Sequence, residues 1–137
     1  MKRYSYWVLI LCLALVSVAF PQQSTKAAEA AATHWLKLVD SGDYAQSWQQ
    51  ASSTFQSAIS KQEWEQKLRV VRVPLGAMVS RELQSAEFAT QLPGAPDGQY
   101  VVIRYDASFE HKKTAVETVV SALDKDGQWR VSGYFIK

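Results

Sequence analysis

Hydrophobic positions in this chain follow a helical period up to Pro74 and a strand period beyond it. Ala28, Ala31, Ala32, Trp35 and Val39 recur at i, i+3, i+4, i+7 and i+11 and draw one apolar stripe, which Gly42 terminates. Tyr44, Trp48, Ala51 and Phe55 at similar spacing predict a second short helix, interrupted at Ser52-Ser53-Thr54. A third helix opens on Ser60-Lys61-Gln62-Glu63, a capping box, with Ile59 and Trp64 at the two positions of a hydrophobic staple. Its predicted inner face is Trp64, Leu68 and Val71, and Pro74 stops it by disfavouring the helical conformation at Val73.

After Gly76, β-branched and aromatic residues alternate with polar ones between turn signals. Strands are expected over 77–90, 99–110, 114–123 and 128–136. Pro93 to Gly98 forms a loop, and Asp124-Lys125-Asp126-Gly127 makes the last hairpin turn. Three helices followed by four antiparallel strands read as α+β, a curved sheet with the helices packed on one face.

The alternation assigns that face. Val101, Ile103, Tyr105, Ala107 and Phe109, then Val116, Thr118, Val120 and Ala122, then Trp129, Val131, Gly133 and Phe135 are expected to face the helices. Arg104, Asp106, Ser108, Glu117, Ser121, Arg130, Ser132 and Tyr134 are expected on the opposite, polar face. A slip of one residue would turn every side chain of a strand over, so the agreement between strands fixes the assignment.

Residues Trp7 to Phe20 add an address. This 14-residue apolar run, interrupted only by Ser17, follows Lys2 and Arg3 and ends beside Ser17-Val18-Ala19. These are the n-region, h-region and small-residue exit of a secretory signal peptide, expected over 1–19, with a linker over 20–27 and a single domain over 28–137. As a helix the run spans only ~21 Å of a hydrocarbon core ~30 Å thick, so a stable membrane anchor is not expected after cleavage. The expected location is the periplasm or the exterior. Cys12, the one cysteine, lies inside the run, so the remaining chain must be stable without disulfides.

Removing the leader also changes the charge. The chain carries 15 basic and 13 acidic residues, and loss of Lys2 and Arg3 leaves 13 of each sign. Lys112-Lys113 is then the one adjacent basic pair, so no stripe is present to track a phosphate backbone and no nucleic-acid partner is expected.

Candidate chemistry is sparse. His34 and His111 stand far apart without a metal-binding spacing, and there is no GxSxG, P-loop or GxGxxG pattern; no metal or cofactor is expected. Arg81 shares its parity with Val79 and Leu83, which aims its guanidinium toward the helices. It is either a structural arginine, snorkelling out or paired with Glu63 or Glu65, or the anion contact of a pocket lined by Trp48 and Trp64. Tyr105 joins that lining from the core face but is no base near neutral pH. Glu117 and Tyr134 are expected to pair across the polar face, either as solvated cross-strand partners or as part of a docking surface. The partners left open are a small amphipathic ligand, another envelope protein, and a second copy docked through the sheet.

Helices followed by a curved antiparallel sheet resemble the nuclear-transport-factor-2-like, cystatin-like cone, some members of which are isomerases with an acid–base pair in the cone. With Asp106 and Glu117 expected on the polar face, that resemblance implies architecture without the chemistry. A closer resemblance rests on Trp35, Gly42-Asp43-Tyr44, Trp48 and Trp64, then Arg72-Val73-Pro74-Leu75-Gly76 and Arg81. It continues through Leu92-Pro93-Gly94-Ala95-Pro96-Asp97-Gly98-Gln99-Tyr100 and Asp126-Gly127-Gln128-Trp129-Arg130-Val131-Ser132-Gly133-Tyr134. This pattern resembles the bacterial domain-of-unknown-function family number four thousand and nineteen. The resemblance implies one exported domain and carries over no catalytic residue. The functional expectation is a non-catalytic exported module, with a small cone-type isomerase or lyase acting on a hydrophobic substrate as the alternative.

Overall fold

A computed structural model of the protein describes residues 24–137. The expected leader lies outside the described residues, as does the first half of the expected linker, whose last two residues are already helical. Helix α1 runs over Lys26–Asp40, α2 over Tyr44–Gln49, α3 over Ser53–Ala58 and α4 over Lys61–Arg72. Four helices thus stand where three were expected, because Gln50 to Ser52 separate α2 from α3. Each of the last three has its own side-chain cap: Asp43 accepts from Gln46 N, Ser52 Oγ from Phe55 N and Ser60 Oγ from Glu63 N. The Ser60 cap is the one the sequence indicated.

Pro74 does not stop α4 in the expected way. Val73 keeps helical angles, and the chain tightens into a 3-10 turn over Val73–Leu75 before Gly76 breaks it. Gly76 has φ +74°, and an added Cβ would come within 2.9 Å of Glu110 and His111, so only glycine fits this crossing into the sheet. The buried residues of α4 are Trp64, Leu68 and Arg72. The expected Val71 is 45% exposed.

Strands β1 (Met78–Ala89), β2 (Tyr100–Phe109), β3 (Lys112–Leu123) and β4 (Trp129–Ile136) form one open antiparallel sheet in the order β1-β2-β3-β4. Register shifts interrupt the ladders between Met78 and Ser80, Leu83 and Ser85, Ala107 and Phe109, and Val120 and Ser121. Such bulges bend a strand and reset which face its later residues meet.

The resets correct the expected faces. In β2 the assignment holds: Val101, Ile103, Tyr105, Ala107 and Phe109 are buried. In β3 it is reversed. Val101 pairs with Ser121, Ile103 with Val119 and Tyr105 with Glu117, so Ala115, Glu117, Val119 and Ser121 face the helices, while Val116 is 40% exposed. In β4 the irregularity opposite Val120 and Ser121 brings Val131 and then Tyr134 to the inner side, and Phe135 is 59% exposed. The inner face packs Ala28, Ala32, Trp35, Leu36 and Val39 of α1 and Trp64 and Leu68 of α4 against Val101, Ile103, Val119 and Val131.

The outer face is partly covered as well. Tyr100, Val120 and Ala122 cluster with Leu92, Ala95 and Val102, the first two from the Pro93 loop. That second apolar cover explains why Val120 and Ala122 read as core positions: β3 carries apolar residues on both faces.

Candidate functional site

Five charged or phenolic side chains converge at one end of the helix–sheet interior. Asp40 is the last residue of α1 and Arg72 the last of α4; Arg81 comes from β1, Glu117 from β3 and Tyr134 from β4. Arg81 forks onto Glu117, donating from Nε to Oε1 at 2.6 Å and from Nη2 to Oε2 at 3.1 Å. Its other edge holds Asp40, with Nη1 donating to Oδ2 at 2.8 Å and Nη2 to Oδ1 at 3.0 Å. Arg72 Nη2 donates to Asp40 Oδ1 at 3.0 Å, and its Nη1 makes a long contact of 3.4 Å with the Tyr134 hydroxyl. Tyr134 donates to Glu117 Oε2 and closes the ring.

The ring contains two carboxylates, two guanidiniums and one phenol, so its formal charges cancel. Glu117 is fully buried and Arg72 is 5% exposed, which makes that cancellation a condition of folding: an unpaired charge at such depth costs several kcal/mol. Asp40 sits at the negative end of a helix dipole, where a carboxylate is disfavoured without the two arginines; Arg72 at the end of α4 is favoured by its dipole. The Arg72 guanidinium also lies 5.0 Å from the Phe109 ring centre, and Arg81 lies 5.9 Å from that of Tyr105. Arg72 Nε is buried with no hydrogen-bond partner among the described residues.

Burial, and then the adjacent Glu117 charge, push the Tyr134 phenol well above its ordinary value. Burial likewise raises Tyr105. For Arg81, burial works against the charged form, but the bonds to Asp40 and Glu117 outweigh it and the net shift is upward. The two phenols therefore keep their protons, and Arg81 its charge, around neutral pH.

Arg81, Glu117, Tyr134 and Tyr105 are thus brought together as side chains of one region. The expectation for Arg81 is corrected: its partners are Asp40 and Glu117 rather than Glu63 or Glu65, because Glu117 faces inward. Glu117 and Tyr134 do bond, on the face opposite to the one expected and diagonally across the ladder, since Glu117 is opposite Ile136 and Tyr134 opposite Val119. Trp64 stacks near Trp35 at 6.1 Å between ring centres, and Trp35 meets the edge of Tyr134 at 5.2 Å. The Trp35 and Trp64 indoles donate to Ser47 O and Ser47 Oγ, whereas Trp48 stands apart and donates to Ile59 O. These bonds satisfy the indoles inside the fold.

Asp40 and Arg72 escaped the sequence reading. Arg72 continues the buried series Trp64, Leu68 at steps of four, and Asp40 follows Leu36 by four; that spacing was the available signal.

Two recesses open beside these groups. A cleft of about 360 Å³ between α4 and β4 is lined by Trp64, Leu68, Val71, Tyr134 and Ile136 and flanked by Lys67 and Lys137. On the other side of the sheet, a groove of about 500 Å³ runs between the Pro93 loop and β4. Among the described residues no group of three or more His, Cys, Asp or Glu is placed to hold a metal ion, and no helix is long and apolar enough to cross a membrane. No curated protein matches the sequence. A family model described as Protein of unknown function (DUF4019) matches residues 31–134, nearly all of the described domain. The chain belongs to that family.

Proposed function

We propose that this domain is an exported, non-catalytic module that binds a small amphipathic ligand, an envelope protein being the second class of partner. The observation that carries this reading is the closure of the charge ring. Glu117 accepts from both Arg81 and Tyr134, and Asp40 from both Arg72 and Arg81, so both interior carboxylates are committed to neutralising arginines. A general base instead needs a carboxylate or imidazole with an acceptor site turned toward substrate. Export is supported by the leader-like run at Trp7 to Phe20.

The cone-type isomerase or lyase is kept as a second reading because Asp40, from the helical half, and Glu117, from the sheet, both enter the interior with two phenols beside them. Incubation of the protein with hydrophobic ketones in D₂O separates the two. No uptake of deuterium above the buffer rate is expected. Exchange by the parent that disappears in a folded Glu117→Gln variant would replace the binding module by an enzyme.

A further inference from the structure

The groove on the outer face of the sheet has a head, a floor and a wall, each set by strand register. Arg104 of β2 is opposite Thr118 of β3, and Thr118 is opposite Phe135 of β4. The next row along the same face is Val102, Val120 and Gly133; beyond it lies Tyr100 beside Ala122. Leu92, Pro93 and Ala95 rise as the wall over that far end.

The hollow exists because Gly133 has no side chain. A Cβ built there would meet Val120 and Phe135 at 3.5 Å, ordinary contact, so an alanine fits at this position without displacement. At about 500 Å³ the recess falls within the range of small-ligand sites, about 300–1,000 Å³.

Arg104 differs from the interior arginines. It is exposed and makes no ion pair among the described residues. On its β1 side the same face carries Glu82, opposite Asp106, and Glu87, opposite Val102. A ligand anion is therefore repelled from the β1 side and drawn to Arg104 from the groove side. With one guanidinium and no second cation lining the groove, a single negative charge is matched and a doubly charged phosphate is not. From Arg104 to Tyr100 the floor extends about 13 Å, four residues at the rise of a strand.

We infer that this groove binds a single-chain amphiphile with a carboxylate head, the head on Arg104 beside Thr118 and the alkyl chain over Val102, Val120 and Gly133 toward the Pro93 loop. The inference deepens the binding-module reading and rests on it, giving it a place and a ligand class. The charge-saturated Arg81 region takes no part.

The test is titration of dodecanoate, below its micelle concentration, into the protein as recovered from cells, followed by calorimetry and by amide NMR shifts. Saturable binding is expected, with shifts confined to residues 92–95, 102–104, 118–120 and 132–135. Arg104→Gln should weaken it about fivefold, the ratio an exposed ion pair supports. Gly133→Leu should abolish it, and Gly133→Ala, which fits without displacement, should weaken it if the larger variant fails to fold. Dodecyltrimethylammonium should bind the parent more weakly than dodecanoate. Equal affinity in the parent and Arg104→Gln, or no saturable binding by the parent, overturns the inference. Binding with shifts at Arg72, Arg81 and Glu117 instead overturns the groove while leaving a binding module in place. A parent that buries the groove by dimerising, with Gly133→Leu monomeric, overturns the small-ligand assignment in favour of a second copy.

Discussion

On the inner face of the sheet, Arg81 meets two carboxylates, and Glu117 meets an arginine and a phenol. On the outer face, one strand over, Arg104 stands beside an apolar hollow without an ion-pair partner among the described residues. The same residue type follows two rules because the surroundings differ. Inside, water cannot solvate the guanidinium, so the protein must supply the counter-charge, and once supplied it leaves nothing over for a ligand. Outside, water carries most of that solvation, so the arginine can stay single at little cost and remain available. A charged residue near an aromatic core is thus a poor guide to a binding site when its partners come from the same chain.

The largest effect expected from this comparison is at Glu117. Glu117→Ala removes a fully buried partner and leaves Tyr134 and one edge of Arg81 unmatched, a loss of about 3–5 kcal/mol in denaturant unfolding. Arg104→Ala, on the open face, should cost less than about 0.5 kcal/mol. Similar losses at both positions would erase the distinction between the faces.

A smaller contrast sharpens the reversed register of β3. Val119 is fully buried and Val116 is 40% exposed, although the two differ by three positions on one strand. Val119→Ala should destabilise by about 2 kcal/mol and Val116→Ala by under about 0.5 kcal/mol, read from the same unfolding curves. The opposite order would restore the alternation that the sequence suggests.

The smallest effect lies in the last hairpin turn, outside both faces. Bonds from the Ser53 hydroxyl and then the Ser53 N–H hold the Asp124 carboxyl down at about 2. A carboxylate lowered by folding stabilises the protein above its unfolded value of about 4 and loses that contribution as pH falls from about 4 to 2. Thermal unfolding across this window should show Asp124→Asn with a flatter acid limb than the parent. An unchanged slope would mean that Asp124 does not couple to folding.

Element types were legible because helix caps and strand alternation are local. The Ser60 cap, the break at Gly42 and the Asp124–Gly127 turn all lie where the residues indicated. The site was legible only in pieces. Arg81, Glu117 and Tyr134 stood out, but their meeting depends on bulges, and a bulge at Val120 and Ser121 leaves no mark in the period-two pattern. Glu117 was misplaced for a further reason. Ala115, Val119 and Ser121 are less apolar as a row than Val116, Val120 and Ala122, and of the second row Val120 and Ala122 are apolar under the cover of the Pro93 loop. A cover from a distant loop cannot be read from the strand it protects.

Helix α3 has six residues and none buried, too short to nucleate by itself. Its first turn is pinned from far along the chain: Ser53 N and Oγ donate to Asp124 at 3.0 and 2.6 Å, and Ser52 N donates to the carbonyl of Val131 at 2.8 Å. These bonds tie the first turn of α3 to the final hairpin. A chain emerging from its N-terminal end would hold α1, α2 and α4 sequences long before the residues that anchor α3 exist. Residues 52–58 hold to the helical half through Gln56, which donates to the carbonyls of Trp48 and Gln49, and through Phe55 against Trp64, and their first turn is completed only when the final hairpin is in place.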